Sequence, residues 1–223
     1  MTGADSIMQV WGHGTPRTFR VYWSLREFGL VFQQHRIRTR TEDMDAPEFL
    51  KVSPGKKIPA FEHGNLALTE SAAIADYIFR LQGAVSDDLA TNAIIERWTS
   101  FVLMEIDATA LYVLRRHRDL PQIYGEAPAA CDAAVEYYER QVSQVEYWLN
   151  DGREYVAGDA FSKADVVLAS CALWANMYKL EVPRNVAQHL GRMAGRDAFA
   201  QAFADNFPDG PTIDAIRTRE GEK

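Results

Sequence analysis

The chain has 223 residues, 47% of them hydrophobic, and a net charge of −7. That is enough for one large domain or two small ones with a real core, and the acidic balance argues against a nucleic-acid or anionic-lipid partner. Its two cysteines, Cys131 and Cys171, form no CxxC pair and lie in apolar helical surroundings, which disfavours both a disulfide framework and a catalytic thiol. No charged region followed by an apolar run opens the chain, and no apolar stretch approaches the ~18 residues of a membrane span, so a soluble cytoplasmic protein is expected.

In chain order, residues 7–11 read as a first strand, broken by Gly12-His13-Gly14-Thr15-Pro16. Residues 18–28 read as a helix with Phe19, Val21, Tyr22 and Leu25 as its apolar surface and Gly29 as C-cap. A second strand over 31–37 and a short helix at 47–50 precede the turn Ser53-Pro54-Gly55. Residues 58–61 and 66–68 form a third and a fourth strand around the tight turn His63-Gly64-Asn65. Ile74, Tyr77, Ile78 and Leu81 then mark one face of a helix over 71–81. The order β-α-β-α-β-β-α suits a layered α/β domain over 6–82.

The grammar changes after a linker at 83–90, where Gly83, Ser86 and two aspartates cluster. No convincing strand follows. Helices are expected at about 91–118, 129–149, 162–180, 185–192 and 196–206, giving an all-α domain over 91–207 and a polar tail over 208–223. The fold class is therefore α/β plus all-α. At Phe161-Ser162-Lys163-Ala164-Asp165-Val166, Ser162 can cap the N–H of Asp165 while Asp165 reaches back to the N–H of Ser162, a device of folding rather than catalysis.

Three segments carry chemistry. In Lys57-Ile58-Pro59, the proline has no N–H for a ladder. A cis bond would expose the backbone of Ile58 to an extended ligand, whereas a trans proline would be a harmless strand start. Glu70-Ser71 opens a helix, where Ser71 can bind a carboxylate and Glu70 an ammonium, or where the two simply cap. Near the first helix start, a hydroxyl of Thr15 or Thr18 can donate to a substrate thiolate and lower the thiol's pKa, with His13 as an alternative donor or a solvated loop residue.

Together these residues resemble the glutathione transferase family, whose N-terminal domain is thioredoxin-like. The likeness rests on Lys57-Ile58-Pro59, Glu70-Ser71-Ala72-Ala73-Ile74, Leu25-Arg26-Glu27-Phe28-Gly29-Leu30 and Phe161-Ser162-Lys163-Ala164-Asp165, and spans roughly 7–205. It implies a cis Pro59, Ile58 pairing with the cysteinyl backbone of glutathione, and Glu70 and Ser71 holding the γ-glutamyl end. Lys57 or one of Arg36, Arg38 and Arg40, with Arg40 taken as the candidate, would meet the glycyl carboxylate. Thr15-Pro16 with Arg20 five residues on matches the family's serine-type pattern with threonine in place of serine; Thr18 is the runner-up. The absence of a tyrosine near the end of the first strand, and of a cysteine in the first domain, sets aside the tyrosine and thiol types.

The resemblance further implies a detoxification-type transferase that adds glutathione, its co-substrate, to a hydrophobic electrophile, with no metal, no nucleic acid and no membrane, acting as a homodimer. The electrophile would lie between the domains against Met104, Ala108, Leu111, Tyr112 and Arg115, positions that helix packing alone also explains. Two departures, the short loop Gly12-His13-Gly14-Thr15 and the methyl group on the donor carbon, make binding a firmer implication than efficient conjugation. Alternatives are a non-catalytic scaffold or regulatory protein, or a glutathione-dependent isomerase, peroxidase or disulfide reductase.

Overall fold

A computed structural model of the chain describes residues 7–210. These divide into two compact units, one formed by 7–85 together with 194–210 and the other by 86–193. The remainder of the polar tail expected over 208–223 lies outside the described residues.

The first unit is built on a mixed four-stranded sheet. Its strands are β1 (Met8–Trp11), β2 (Phe32–His35), β3 (Ala60–His63) and β4 (Leu66–Thr69), in the order β2-β1-β3-β4. β1 and β2 are parallel, joined by α1 (Pro16–Glu27) as the crossover helix; β3 runs antiparallel to both β1 and β4. The third strand starts at Ala60 rather than Ile58, because Pro59 cannot donate to the ladder of a central strand. A core on one face gathers Trp11, Ile37, Met44, Phe49, Val52 and Ala60, under α2 (Pro47–Val52).

α1 is buried along most of its length, from Thr18 to Leu25. It packs against α3 (Ser71–Leu81) and also against the last described helix, Asp197–Asn206, which belongs to this unit rather than to the helical one. The reason is apolar. Phe199 lies 4.9 Å from the rings of both Phe19 and Trp23. Two ion pairs flank the contact, Arg26 with Asp205 and Arg196 with Glu27.

The second unit is helical. α4 (Leu89–Phe101), capped by Asp88, runs into wide π turns over Val102–Leu111, a short α stretch at Tyr112–Leu114 and a second wide stretch at Arg115–Asp119. The expected single helix over 91–118 is thus continuous in path but not in pitch. Thr109 Oγ1 donates to the carbonyl of Met104 five residues back, at 2.7 Å, and such turns recur at functional sites. α5 (Pro121–Tyr124), α6 (Pro128–Trp148), α7 (Lys163–Met177) and α8 (Arg184–Ala194) follow, and Asp197–Asn206 is α9. Cys131 and Cys171 are both buried, and neither is in a disulfide. No helix among the described residues is long and apolar enough to cross a membrane, and none of their His, Cys, Asp and Glu side chains cluster as a metal site.

α7 is buried from Lys163 to Ala175, so its start must be satisfied internally. The capping box forms as read from the sequence. Asp165 Oδ2 accepts from the N–H and the hydroxyl of Ser162, each at 2.9 Å, and Oδ1 accepts from the N–H of Val156 at 2.8 Å and from His189 Nε2 at 3.0 Å. Ser162→Ala should lower stability by about 1 kcal/mol, measured by denaturant unfolding. Ligand binding in the other unit should not change.

Candidate functional site

The sheet register gathers the candidate residues before any side chain is considered. His35, Trp11, Ala60 and Thr69 form one row across the four strands. The parallel strands β1 and β2 end at this row, β4 ends there, and β3 begins there. The segments just beyond, 12–15, 36–39, 57–59 and 70–71, therefore meet at one end of the sheet. Ligands of open α/β sheets bind beyond the carboxyl ends of their strands.

The loop after β1 is fixed from several sides. The N–H of Gly12 donates to His35 O at 2.8 Å, and that of His13 to Ile37 O at 3.1 Å. The hydroxyl of Tyr22 donates to Gly12 O at 3.1 Å. Asn206, at the end of α9, holds the other half of the loop through Gly14 and Thr15.

Thr15 is the N-cap of α1. Its extended backbone, φ −130° and ψ 151°, is the conformation that the following Pro16 requires. Thr15 Oγ1 accepts from the N–H of Thr18 at 3.0 Å and lies 2.8 Å from Thr18 Oγ1. When the Thr18 hydroxyl donates within this pair, the Thr15 proton is left to point elsewhere. Thr15 is half-buried and lines a cleft of about 270 Å³ with His13, Gly14, Arg38, Thr39 and residues 206–210. Thr18 is fully buried. As a direct donor to a ligand it is therefore set aside; its place is behind Thr15.

His13 also lines the cleft, but not as a cation. Burial first, then the positive charges of Arg38 and Arg36, hold its pKa below the ordinary 6.5. The imidazole is neutral at pH 7, and its Nδ1 is buried without a hydrogen-bond partner. An NMR titration should find His13 below 6.5, raised by Arg38→Gln but still below that value, because burial is the larger cause. Since the unfolded chain binds this proton first, stability should fall as pH drops below 6.5, levelling off below the folded pKa.

The hairpin β3–β4 brings the other two segments together, since Ala60 faces Thr69 and the next residues out are Pro59 and Glu70. The Ile58–Pro59 bond is cis. Lys57 is exposed, and its N–H and C=O both bond the hydroxyl of Ser53, at 3.0 and 2.9 Å. Glu70, also exposed, precedes α3 with φ +67°, and no side chain caps that helix. Capping therefore does not account for the pair. Among the described residues Glu70 shares a positive φ with only three other non-glycines, Arg40, Lys56 and Lys179. Ser71 is the first helical residue, and its Oγ accepts from the fully buried Arg20 at 3.4 Å. A guanidinium beneath the α3 N-terminus adds to the positive potential there.

Of the three arginines after β2, Arg38 lines the cleft. Arg40 is exposed, with φ +67°, and its Nη1 donates to Thr39 Oγ1 at 3.2 Å. In the helical unit, Met104 is 60% exposed and Ala108 is also open, whereas Tyr112 and Arg115 are half-buried. Leu111 is fully buried, so it does not line an open surface. Sequence reasoning missed Tyr22, read only as apolar surface, and Asn206, read only as the end of a helix. It saw Gly12 as a strand breaker without its packing role.

The description "Glutathione S-transferase, N-terminal domain" matches residues 6–80, and "Glutathione S-transferase, C-terminal domain" matches residues 98–197. A glutathione S-transferase-like protein, LUC7, from a Fusarium species is 32% identical over 181 residues, 74% of this chain and 75% of that protein. A glutathione S-transferase of Hyoscyamus muticus is 29% identical over 161 residues, 68% of this chain and 74% of that one. Among solved structures, a glutathione transferase family member from Pseudomonas fluorescens, with two glutathione bound, superposes with a TM-score of 0.78 at 25% identity, covering 88% of this chain and 92% of the other. With both of its domains matched, and with a mixed sheet followed by a helical unit, the chain belongs to the glutathione S-transferase family.

Proposed function

We propose that this protein is a glutathione transferase that ionises the glutathione thiol at Thr15 and adds the sulfur to a hydrophobic electrophile. The observation that carries the reading is the Thr15 hydroxyl. Thr15 lines the cleft at the start of α1, its Oγ1 accepts from the N–H of Thr18, and the two hydroxyl oxygens lie 2.8 Å apart. The Pseudomonas fluorescens relative, whose structure contains glutathione, supports the choice of ligand.

In this reading Ile58 pairs with the cysteinyl backbone, Pro59 shapes that edge, and Glu70 and Ser71 hold the γ-glutamyl ammonium and carboxylate. Arg38 or Lys57 meets the glycyl carboxylate. The thiol proton leaves to solvent. The thiolate is held by the Thr15 O–H and by the positive end of α1, both of which lower the thiol's pKa. The sulfur's electron pair then forms a bond to the electrophilic carbon. That carbon either expels its leaving group as an anion or, in an addition, gives up one bonding pair to the neighbouring atom, which then takes a proton from solvent. Met104, Ala108, Tyr112 and Arg115 supply the apolar and cationic surface for the electrophile. The protein acts as a cytoplasmic homodimer.

One observation favours a second reading, a non-catalytic binding protein. Thr15 Oγ1 already serves as an N-cap, and the hydrogen-bond direction between the two hydroxyls is free to reverse. A glutathione titration separates the two. Binding that brings out thiolate absorbance near neutral pH, with turnover of a model electrophile, supports the transferase. Binding without thiolate supports the scaffold, and no binding removes both.

A further inference from the structure

Asn206 lies beyond the residues that either family description matches, which end at 197. It is the last residue of α9 and is fully buried. Its carboxamide makes two bonds to one stretch of backbone. Oδ1 accepts from the N–H of Gly14 at 3.1 Å, and Nδ2 donates to the carbonyl of Thr15 at 3.0 Å. The main-chain carbonyl of Asn206 shares the Gly14 N–H at 2.8 Å.

The loop needs such a clamp. Gly12 and Gly14 both have positive φ, and glycines give a loop many competing conformations. The bonds to His35, Ile37 and Tyr22 fix its first half. The second half, which carries the Thr15 hydroxyl, is tied at the N-cap of α1 and by Asn206. α9 in turn is a firm support. Phe199 packs on Phe19 and Trp23, and Arg26–Asp205 and Arg196–Glu27 brace it against α1.

We infer that Asn206 is a positioning residue for Thr15: its carboxamide fixes the Gly14–Thr15 backbone so that the Thr15 hydroxyl points into the cleft toward the thiolate. The inference rests on the transferase reading. Asn206 touches no reacting atom and acts only through Thr15.

The test is a double-mutant cycle on the full-length protein with Asn206→Ala, Thr15→Ala and the pair. Two quantities are read: the pKa of bound glutathione's thiol, from thiolate absorbance, and kcat for a model electrophile. S-methylglutathione binding monitors the rest of the site. Asn206→Ala leaves Gly14 its main-chain partner, and Asn206→Thr, of similar volume, replaces it if the smaller variant fails to fold. Asn206→Ala should raise the thiol pKa and lower kcat about 10-fold, within the range that misplacing a catalytic group costs. S-methylglutathione affinity should stay within about twofold, well under the tenfold that 1.4 kcal/mol represents. The double variant should be no worse than Thr15→Ala.

A folded Asn206 variant with wild-type thiol pKa, or losses that add in the double variant, would overturn the inference and leave the transferase reading standing. A wild-type protein that binds glutathione without lowering its thiol pKa would overturn both.

Discussion

Thr15→Ala is expected to leave glutathione bound but poorly ionised. Removing one preorganised donor to a developing or resident anion typically lowers rates by ~10²–10³-fold. kcat/KM should therefore fall by about that factor, while the glutathione dissociation constant changes by less than about threefold, a difference under 1 kcal/mol. The pKa of the bound thiol should rise toward the ~8.5 of a free cysteine, so the pH–rate profile shifts upward rather than merely flattening. Thr15 also caps α1, and losing the cap should cost about 1 kcal/mol. Thr15→Ser keeps both the cap and the donor, and should recover most of the rate. Unchanged thiol pKa and turnover in a folded Thr15→Ala protein would remove Thr15 from the mechanism and return attention to the neutral His13.

Gly12→Ala tests the frame of the site rather than its chemistry. Gly12 has φ +110°, a conformation that side chains rarely adopt. A Cβ there would sit 2.5 Å from Ile58 Cβ, 2.8 Å from Cγ2 and 3.0 Å from Cδ1. The nearest atom is a Cβ, which cannot move away by a rotamer change. It moves only if the backbone of Ile58 moves, and that backbone is the proposed partner of the ligand. Nor can Gly12 yield, because its N–H and C=O are tied to His35 and Tyr22. Backbone strain of this kind costs ~1–3 kcal/mol, and overpacking adds a similar amount. A loss of about 3 kcal/mol or more should lower Tm by roughly 6–12 °C for a chain of this size. Glutathione affinity should fall with it. A Gly12→Ala protein with wild-type Tm and affinity would mean that the loop and Ile58 are not in this contact.

Much of the frame was legible in the sequence because it is local. The turn at Gly64-Asn65 and the Ser162–Asp165 box each involve residues within a few positions and lie where expected, while Gly29, read as the C-cap of α1, sits one residue past the actual cap Phe28. The alternation of short strands and helices gave the order of the first unit. The position of Pro59 was correctly singled out, although the strand begins one residue after it. What the sequence could not rank was depth. Thr15 and Thr18 are equivalent as hydroxyls near a helix start, yet one lines a cleft and the other is fully buried. Ala108 and Leu111 lie three residues apart on one helical stretch, yet the first is open and the second fully buried.

By itself, then, the sequence determined the kinds of elements, their order, and the residue types available to a thiol-bearing peptide ligand. Periodicity, caps and turn residues are short-range properties, written in consecutive letters. The tertiary structure decided the rest. It placed the 57–59 and 70–71 segments side by side through the register of a hairpin, and aligned the 12–15 loop with them through the antiparallel pairing of β1 with β3. It also joined Asn206 to Gly14 and Thr15 across more than 190 residues. Contacts at that separation depend on which apolar faces find each other, here Phe199 on Phe19 and Trp23, and no local pattern specifies them.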